Sequence, residues 1–187
     1  MIEATELRPG TIFIDEGQIL KVLKFQHHRM SQSAAVCRTK LKNLKTGAIV
    51  EKTYRPTDRL KAPEVQKRPK SFMYFQNESA HFMDLENYET VDFPKSKLGT
   101  SAEFLTENLE VEGLYVGDEL LDILLPANVV LKVASAPPGL KGDGANNPNK
   151  PCILENGITV TCPLFIKEGD NIRVDTFTGD YVERVSQ

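Results

Sequence analysis

The run His27-His-Arg-Met-Ser-Gln-Ser-Ala-Ala-Val-Cys-Arg-Thr-Lys-Leu-Lys-Asn-Leu-Lys-Thr-Gly47 reads as two strands of a β-hairpin around a polar tip, Met30-Ser31-Gln32-Ser33-Ala34. On the second strand, Val36 to Lys42, the residues Arg38, Lys40 and Lys42 are spaced by two and share one face of a pleated strand. Cys37, Thr39 and Leu41 fall on the other face, where a small core can take them. A basic ladder leading to an uncharged tip of small residues suits a phosphate backbone along its length, with the tip reaching further in. The same spacing also fits a solvated hairpin whose lysines keep a sheet edge soluble. The rest of the chain has to decide between the two.

Working outward, Thr11–Asp15 and Gln18–Phe25 read as strands around a Glu16-Gly17 turn. Lys45-Thr46-Gly47 makes the next turn, and Ala48–Arg55 the next strand. Short strands at even spacing with glycine turns predict a small barrel. Arg55-Pro56-Thr57-Asp58 breaks the pattern, and Lys61-Ala62-Pro63-Glu64 reads as a domain boundary. The middle third continues with Val65–Phe75, a turn at Gln76–Ser79 and a strand at Ala80–Asp84, with Glu86–Glu89 extending the same sheet. Residues 101–108 predict a short helix capped by Thr100 or Ser101. Strands at Leu109–Val116 and Leu120–Leu125 follow, and Pro126 marks the next boundary.

The last third opens on a strand at Val129–Ala134, then runs through Pro137–Pro151, too rich in turn residues for a core. Ile158, Val160 and Cys162 alternate with Thr159 and Thr161 as a half-buried strand does. Strands at Asn171–Thr176 and Tyr181–Val185 complete a set that fits an OB-type barrel. The expected fold is therefore all-β: three small barrels over residues 1–63, 64–127 and 128–187. Compactness scaling gives each a diameter of roughly 27 Å, so about 80 Å end to end. An elongated chain of this kind suits a large partner surface better than a pocket.

The net charge of −3 hides an uneven distribution. Residues 1–63 carry twelve Lys and Arg against six Asp and Glu, a balance of +6. Residues 64–127 stand at −8, five against thirteen, and residues 128–187 at −1, six against seven. The first third would approach a polyanion, and the middle third would avoid one except where Lys67, Arg68 and Lys70 cluster near the first boundary. Three cysteines, Cys37, Cys152 and Cys162, form no C-x-x-C pair, which reads as buried thiols in a reducing cytosol. No apolar run reaches 18 residues, and the first residues lack a signal-peptide layout, so a cytoplasmic protein is expected.

Chemistry of its own is not expected. His27 and His28 are strand neighbours facing opposite sides, so they do not share a metal without a bulge, and His81 is the third and last histidine. Ser31 and Ser33 have no evident base or orienting partner. Gly139-Leu-Lys-Gly142-Asp-Gly144 matches neither phosphate-binding glycine motif. No cofactor and no metal are expected. A generic OB-type RNA-binding or RNA-chaperone protein is the alternative from another class, but the chain is only 7% aromatic and its last third is about neutral.

At this point a resemblance spans the chain. Arg38-Thr-Lys-Leu-Lys-Asn-Leu-Lys-Thr-Gly47, Glu51-Lys-Thr-Tyr54, Phe82-Met-Asp84, Pro138-Gly-Leu-Lys-Gly-Asp143 and Lys150-Pro151 resemble the bacterial elongation factor P family. So do Gly157-Ile-Thr-Val-Thr-Cys-Pro-Leu-Phe-Ile-Lys-Glu-Gly-Asp170 and Val174-Asp-Thr-Phe-Thr-Gly-Asp-Tyr181. The resemblance implies an SH3-like (KOW-like) barrel followed by two OB barrels, together approximating a tRNA in shape. It implies a monomer that binds both subunits and the rRNA of the ribosome, between the P and E sites. There it would lie beside peptidyl-tRNA, with mRNA in the E site a further partner. It would stimulate peptide-bond formation at consecutive prolines, no membrane being involved.

By the same resemblance the hairpin tip, Arg29, Met30, Ser31, Gln32, Ser33 and Ala34, reaches the tRNA acceptor end. The resemblance also brings Gly142, Asp143 and Gly144 toward the E-site codon, while the spacing and charge of Arg38, Lys40 and Lys42 are what set them against RNA backbone. Two positions depart from the family pattern. The usual proline-glycine-lysine-glycine tip reads Met30-Ser31-Gln32-Ser33, and Gln32 offers no amine or guanidinium for the family's modifications. The usual glycine-aspartate-threonine loop reads Gly142-Asp143-Gly144, losing a hydroxyl.

Overall fold

Glu16 and Gly17 both take positive φ, 50° and 76°. That pair of angles is what a two-residue hairpin turn matching the strand twist requires, and glycine meets it without strain. The computed structural model describes residues 1–28, 35–138 and 149–186, and around this turn it builds the first of three main sheets. In chain order the first elements are β1 (Ile2–Glu3), β2 (Ile12–Asp15), β3 (Gln18–His28), β4 (Val36–Asn43), β5 (Ile49–Tyr54) and β6 (Arg59–Leu60). Strands β2-β3-β4-β5 form one antiparallel sheet, and β1 pairs with β6. Alternation on β4 buries Cys37, Thr39 and Leu41 and turns Arg38 and Lys40 outward. Leu7, Phe13, Leu20, Val22, Leu41 and Tyr54 make the core beneath.

The short β6 lies in the stretch that sequence alone reads as a break. Ile2 pairs with Leu60 across more than fifty residues, and Ala4 N–H donates to the Asp58 carbonyl at 3.0 Å. Only the folded unit brings those two ends together.

The chain continues with β7 (Gln66–Gln76), β8 (Ser79–Asp84), β9 (Thr90–Pro94), the one-turn helix α1 (Lys95–Leu98), β10 (Glu110–Val116) and β11 (Glu119–Leu124). The five strands form a sheet in the order β11-β10-β7-β8-β9. Residues 86–89 are the turn before β9 rather than strand. The helical stretch also starts earlier than expected, at Lys95, and passes into a 3-10 helix over Gly99–Phe104. Pro94 is its N-cap and no side chain caps it, so the hydroxyl signal at Thr100 and Ser101 misplaces the start.

The last five strands are β12 (Asn128–Ser135), β13 (Asn149–Leu154), β14 (Thr159–Pro163), β15 (Asn171–Asp175) and β16 (Tyr181–Val185), ordered β14-β13-β12-β15-β16. Leu131, Val133, Leu154, Val160, Ile166 and Ile172 fill its core, and Phe104 from the 3-10 helix joins them. The described residues cluster into two compact units, Met1–Arg68 with Gly113–Ile123, and Pro69–Glu112 with Leu124–Gln187. Among the described residues, no helix is long and apolar enough to cross a membrane.

One device ends a strand in each of the three main sheets. The Asn43 side-chain oxygen accepts the N–H groups of Lys45 and Thr46 at 3.0 and 3.1 Å. Asp84 does the same for Glu86 and Asn87, and Asp175 for Phe177 and Thr178. Each side chain satisfies backbone donors that the turn leaves without a ladder partner.

Asp84 carries a second duty. Its other carboxylate oxygen accepts from Lys70 Nζ at 2.6 Å, and that lysine side chain is fully buried. The lysine hydrogen bond holds the Asp84 carboxyl below the usual carboxylate range, against the upward push of burial. The depressed folded value makes the contribution to stability fully present above about pH 4, where the unfolded carboxyl is ionised. It is lost as pH falls through the folded value. We expect Lys70→Met to destabilise the protein near neutral pH by about 3–5 kcal/mol, because it strands a buried carboxylate. The deficit should shrink in acid, where Asp84 takes up a proton in the variant. Urea unfolding across pH 3–7, run on both proteins, checks the sign and the trend.

Candidate nucleic-acid interface

The basic face begins with a bulge. Along β3, Lys21 pairs with Lys42 and Val22 with Leu41, but Lys24 pairs with Lys40, leaving Leu23 as an inserted residue. The insertion reverses the alternation. Without it Leu23 and Phe25 would face outward. With it, Lys24 and Gln26 stand beside Lys40 and Arg38, while Phe25 turns toward the core. The outer face of β3-β4-β5 therefore carries the rows Lys24–Lys40–Glu51 and Gln26–Arg38–Thr53. A groove of about 630 Å³ runs across them.

Arg38 and Lys40, both expected from the strand spacing, are exposed here, and Lys24 joins them. Among the described residues, none of the three has an ion-pair partner. Lys24 escaped sequence reading because simple alternation assigns it to the buried side. The only hint was Leu23, an apolar residue sitting where a polar one was due.

Lys42 behaves differently. Its Nζ lies 3.1 Å from Asp122 Oδ1, and Lys21 Nζ lies 2.7 Å from Asp122 Oδ2. The carboxylate is 4% exposed and the two lysine side chains 19% and 16%. Lys21 and Lys42 are directly opposite each other on neighbouring strands, a pairing that repels without an anion between them. Asp122, on β11, supplies it. Lys45 and Glu119 form a looser, exposed pair at 3.4 Å nearby.

At the turn end of the sheet, Lys52 Nζ meets Asp15 and Glu16 at 2.8 and 2.7 Å, and Tyr54 Oη donates to Asp15 at 2.9 Å. Burial pushes the Asp15 carboxyl up, but the bonds from Lys52 and Tyr54 outweigh it and leave the value lowered. Burial first, then the bond to Asp15, raises the Tyr54 hydroxyl. The charges at this corner pair with one another, so it adds no open cation to the row of Lys24, Arg38 and Lys40.

The cluster of Lys67, Arg68 and Lys70 does not form a patch. Strand alternation sends Lys70 inward to Asp84, and the Arg68 guanidinium lies 4.4 Å from the Tyr115 ring centroid. The tip residues Arg29, Met30, Ser31, Gln32, Ser33 and Ala34 lie outside the described residues, as do Gly142, Asp143 and Gly144. Flanking the latter, Asn149–Pro151 are strand rather than loop, and Lys150 Nζ donates to the Pro137 carbonyl at 3.0 Å. All three cysteines are buried free thiols. Burial, helped by neighbouring Cys152, pushes the Cys162 thiol up to about 12.

Comparison with known proteins follows the same three-part layout. Residues 3–60 match the elongation factor P KOW-like domain, residues 65–123 the elongation factor P OB domain, and residues 129–184 the elongation factor P C-terminal domain. A KOW-like domain followed by these partners defines a translation factor assembled from small β-barrels. Elongation factor P of Elusimicrobium minutum is 46% identical over 185 residues, covering 98% of this chain and all of the relative. Those of Endomicrobium trichonymphae and Acetivibrio thermocellus are each 40% identical, covering 98% and 99% of this chain and all of each relative. The chain belongs to the elongation factor P family.

Removing the shared anion should be costly. Asp122→Ala removes the carboxylate that lies between Lys21 and Lys42. It is expected to destabilise the protein by about 2–3 kcal/mol, at or below the usual cost of breaking a buried pair because both lysines keep some water. Pairing Asp122→Ala with Lys21→Met should recover part of that loss. Chemical denaturation of the single and double variants measures the coupling.

Proposed function

We propose that this protein binds the ribosome between the P and E sites, next to peptidyl-tRNA, and stimulates peptide-bond formation at polyproline stalls. The observation that carries the reading is the outward row of Lys24, Arg38 and Lys40, free of ion-pair partners among the described residues, on the two strands that lead to the tip. Membership of a translation-factor family supports it. The factor does no chemistry of its own in this reading. Proline reacts poorly as donor and acceptor, so holding the tRNA end in a reactive geometry lowers an entropic cost while the ribosome forms the bond.

The residue roles belong to the same proposal. Arg38 and Lys40, joined by Lys24, contact RNA backbone, and Lys42 contributes beside Asp122. The tip from Arg29 to Ala34, with Gln32 at its end, stands near the acceptor end and works through uncharged hydrogen bonds. Gln32 has two amide donors and one acceptor for that purpose. Gly142, Asp143 and Gly144 approach the E-site codon. The division into 1–63, 64–127 and 128–187 is likewise proposed, supported by matched spans of 3–60, 65–123 and 129–184. The partners are both ribosomal subunits, rRNA, P-site tRNA and E-site mRNA, met by a cytoplasmic monomer that needs no cofactor.

Lys40→Glu should weaken binding to ribosomes carrying P-site tRNA and lower the salt slope by about one or more. Filter binding across a salt series reads both quantities, and an unchanged slope and affinity would remove Lys40 from the interface. Gln32→Ala should cut rescue of a three-proline reporter several-fold, in cells lacking their own factor, while ribosome binding stays nearly intact. Full rescue by that variant would show that the tip side chain is not a working part.

A further inference from the structure

The reverse face of the hairpin holds a second feature that the basic row does not use. Phe25 and His27 alternate with Lys24 and Gln26 on β3, so they face the opposite side. There they line a cleft of about 390 Å³ with Thr5, Arg8 and Pro9. Its size sits at the low end of pockets that hold small ligands, ~300–1,000 Å³.

Arg8 is held in place within it. Its Nη1 donates to the carbonyls of Thr5 and Leu7 at 3.0 and 2.7 Å, and its guanidinium lies 5.7 Å from the Phe25 ring centroid. The turn bearing it is pinned as well. Thr11 N–H donates to the Arg8 carbonyl, and Arg8 N–H donates to the Thr11 hydroxyl. Gly10 N–H and Val22 N–H each make a backbone bond, to Val22 and Thr11 respectively, that ties the turn to β3. Among the described residues, no acceptor meets Nη2 or Nε of Arg8, and the His27 side chain makes no hydrogen bond. Glu6, the acidic neighbour on the same segment, is turned back onto Glu3 N–H at 2.9 Å.

A guanidinium fixed on one edge and open on the other matches a phosphate, whose two oxygens fit the free fork. Phe25 and Pro9 add an apolar wall for a base or ribose. We infer that the cleft of Thr5, Arg8, Pro9, Phe25 and His27 is a second RNA-binding site, taking one nucleotide with its phosphate on Arg8. Since it faces away from Lys24, Arg38 and Lys40, the RNA held there is a different segment from the one along that row. The hairpin is then gripped on both sides, and this inference rests on the ribosome-binding reading above.

The test uses the full-length protein and bacterial ribosomes carrying P-site tRNA. Arg8→Gln is expected to weaken binding about tenfold at low salt, the loss of one charge-assisted contact. It should also lower the salt slope by about one. A photo-crosslinking benzoylphenylalanine placed at His27 keeps Arg8 intact and should mark RNA, at nucleotides distinct from those marked from Lys40. Unchanged affinity and slope in a folded Arg8→Gln, or crosslinks from position 27 that reach only protein or the same nucleotides as position 40, would overturn the inference. If Lys40→Glu weakens binding while Arg8→Gln does not, this site alone fails. If the unaltered protein shows no salt-dependent binding to ribosomes, the ribosome reading and this site fail together.

Discussion

Two ammonium groups set opposite each other on adjacent strands repel, and Lys21 and Lys42 are so placed. The Asp122 carboxylate, almost entirely buried between them, turns that repulsion into a clamp. Much of the first unit's geometry depends on it. The clamp fixes the base of the long β3-β4 pair to the segment Gly113–Ile123, which belongs to the same compact unit. It also sorts the cations. Those near the base pair with Asp122, and those nearer the tip, Lys24, Arg38 and Lys40, are left facing solvent.

A sequence records such sorting unevenly. The alternation of Cys37, Thr39 and Leu41 with Arg38, Lys40 and Lys42 reads correctly because a strand's two faces are set by its own residues. The partner of Lys42 lies eighty residues further along, and nothing local to either residue points to the other. The bulge at Leu23 is of the same kind. A single inserted residue inverts every later assignment on that strand, which is why Lys24 was hidden and why Phe25 and His27 came to share a cleft with Arg8. The unanticipated pairing of β1 with β6 and the burial of Lys150 likewise depend on contacts that only the closed fold creates. The all-β fold of small barrels was legible because short strands and glycine turns are local signals.

The three sheets share a solution to the problem of small size. Barrels of this length have little core to spend on irregular backbone, so turn donors have to be satisfied cheaply. Asn43, Asp84 and Asp175 each do so with one side chain at a strand end. Asp84 combines the turn with the Lys70 ion pair, so one carboxylate both shapes the turn and compensates a fully buried cation. The middle third is the most acidic part of the chain, yet this acid is spent inward.

The buried thiols have a consequence outside folding. A thiol reacts with peroxide or a disulfide as its thiolate, and burial beside Cys152 holds the Cys162 thiol in its protonated form at neutral pH. Cys37 is also raised by burial, and Cys152 is as enclosed as its neighbour. An oxidant that acts on surface thiols would find none of the three within reach. A chain holding three cysteines thus presents no thiol at its surface.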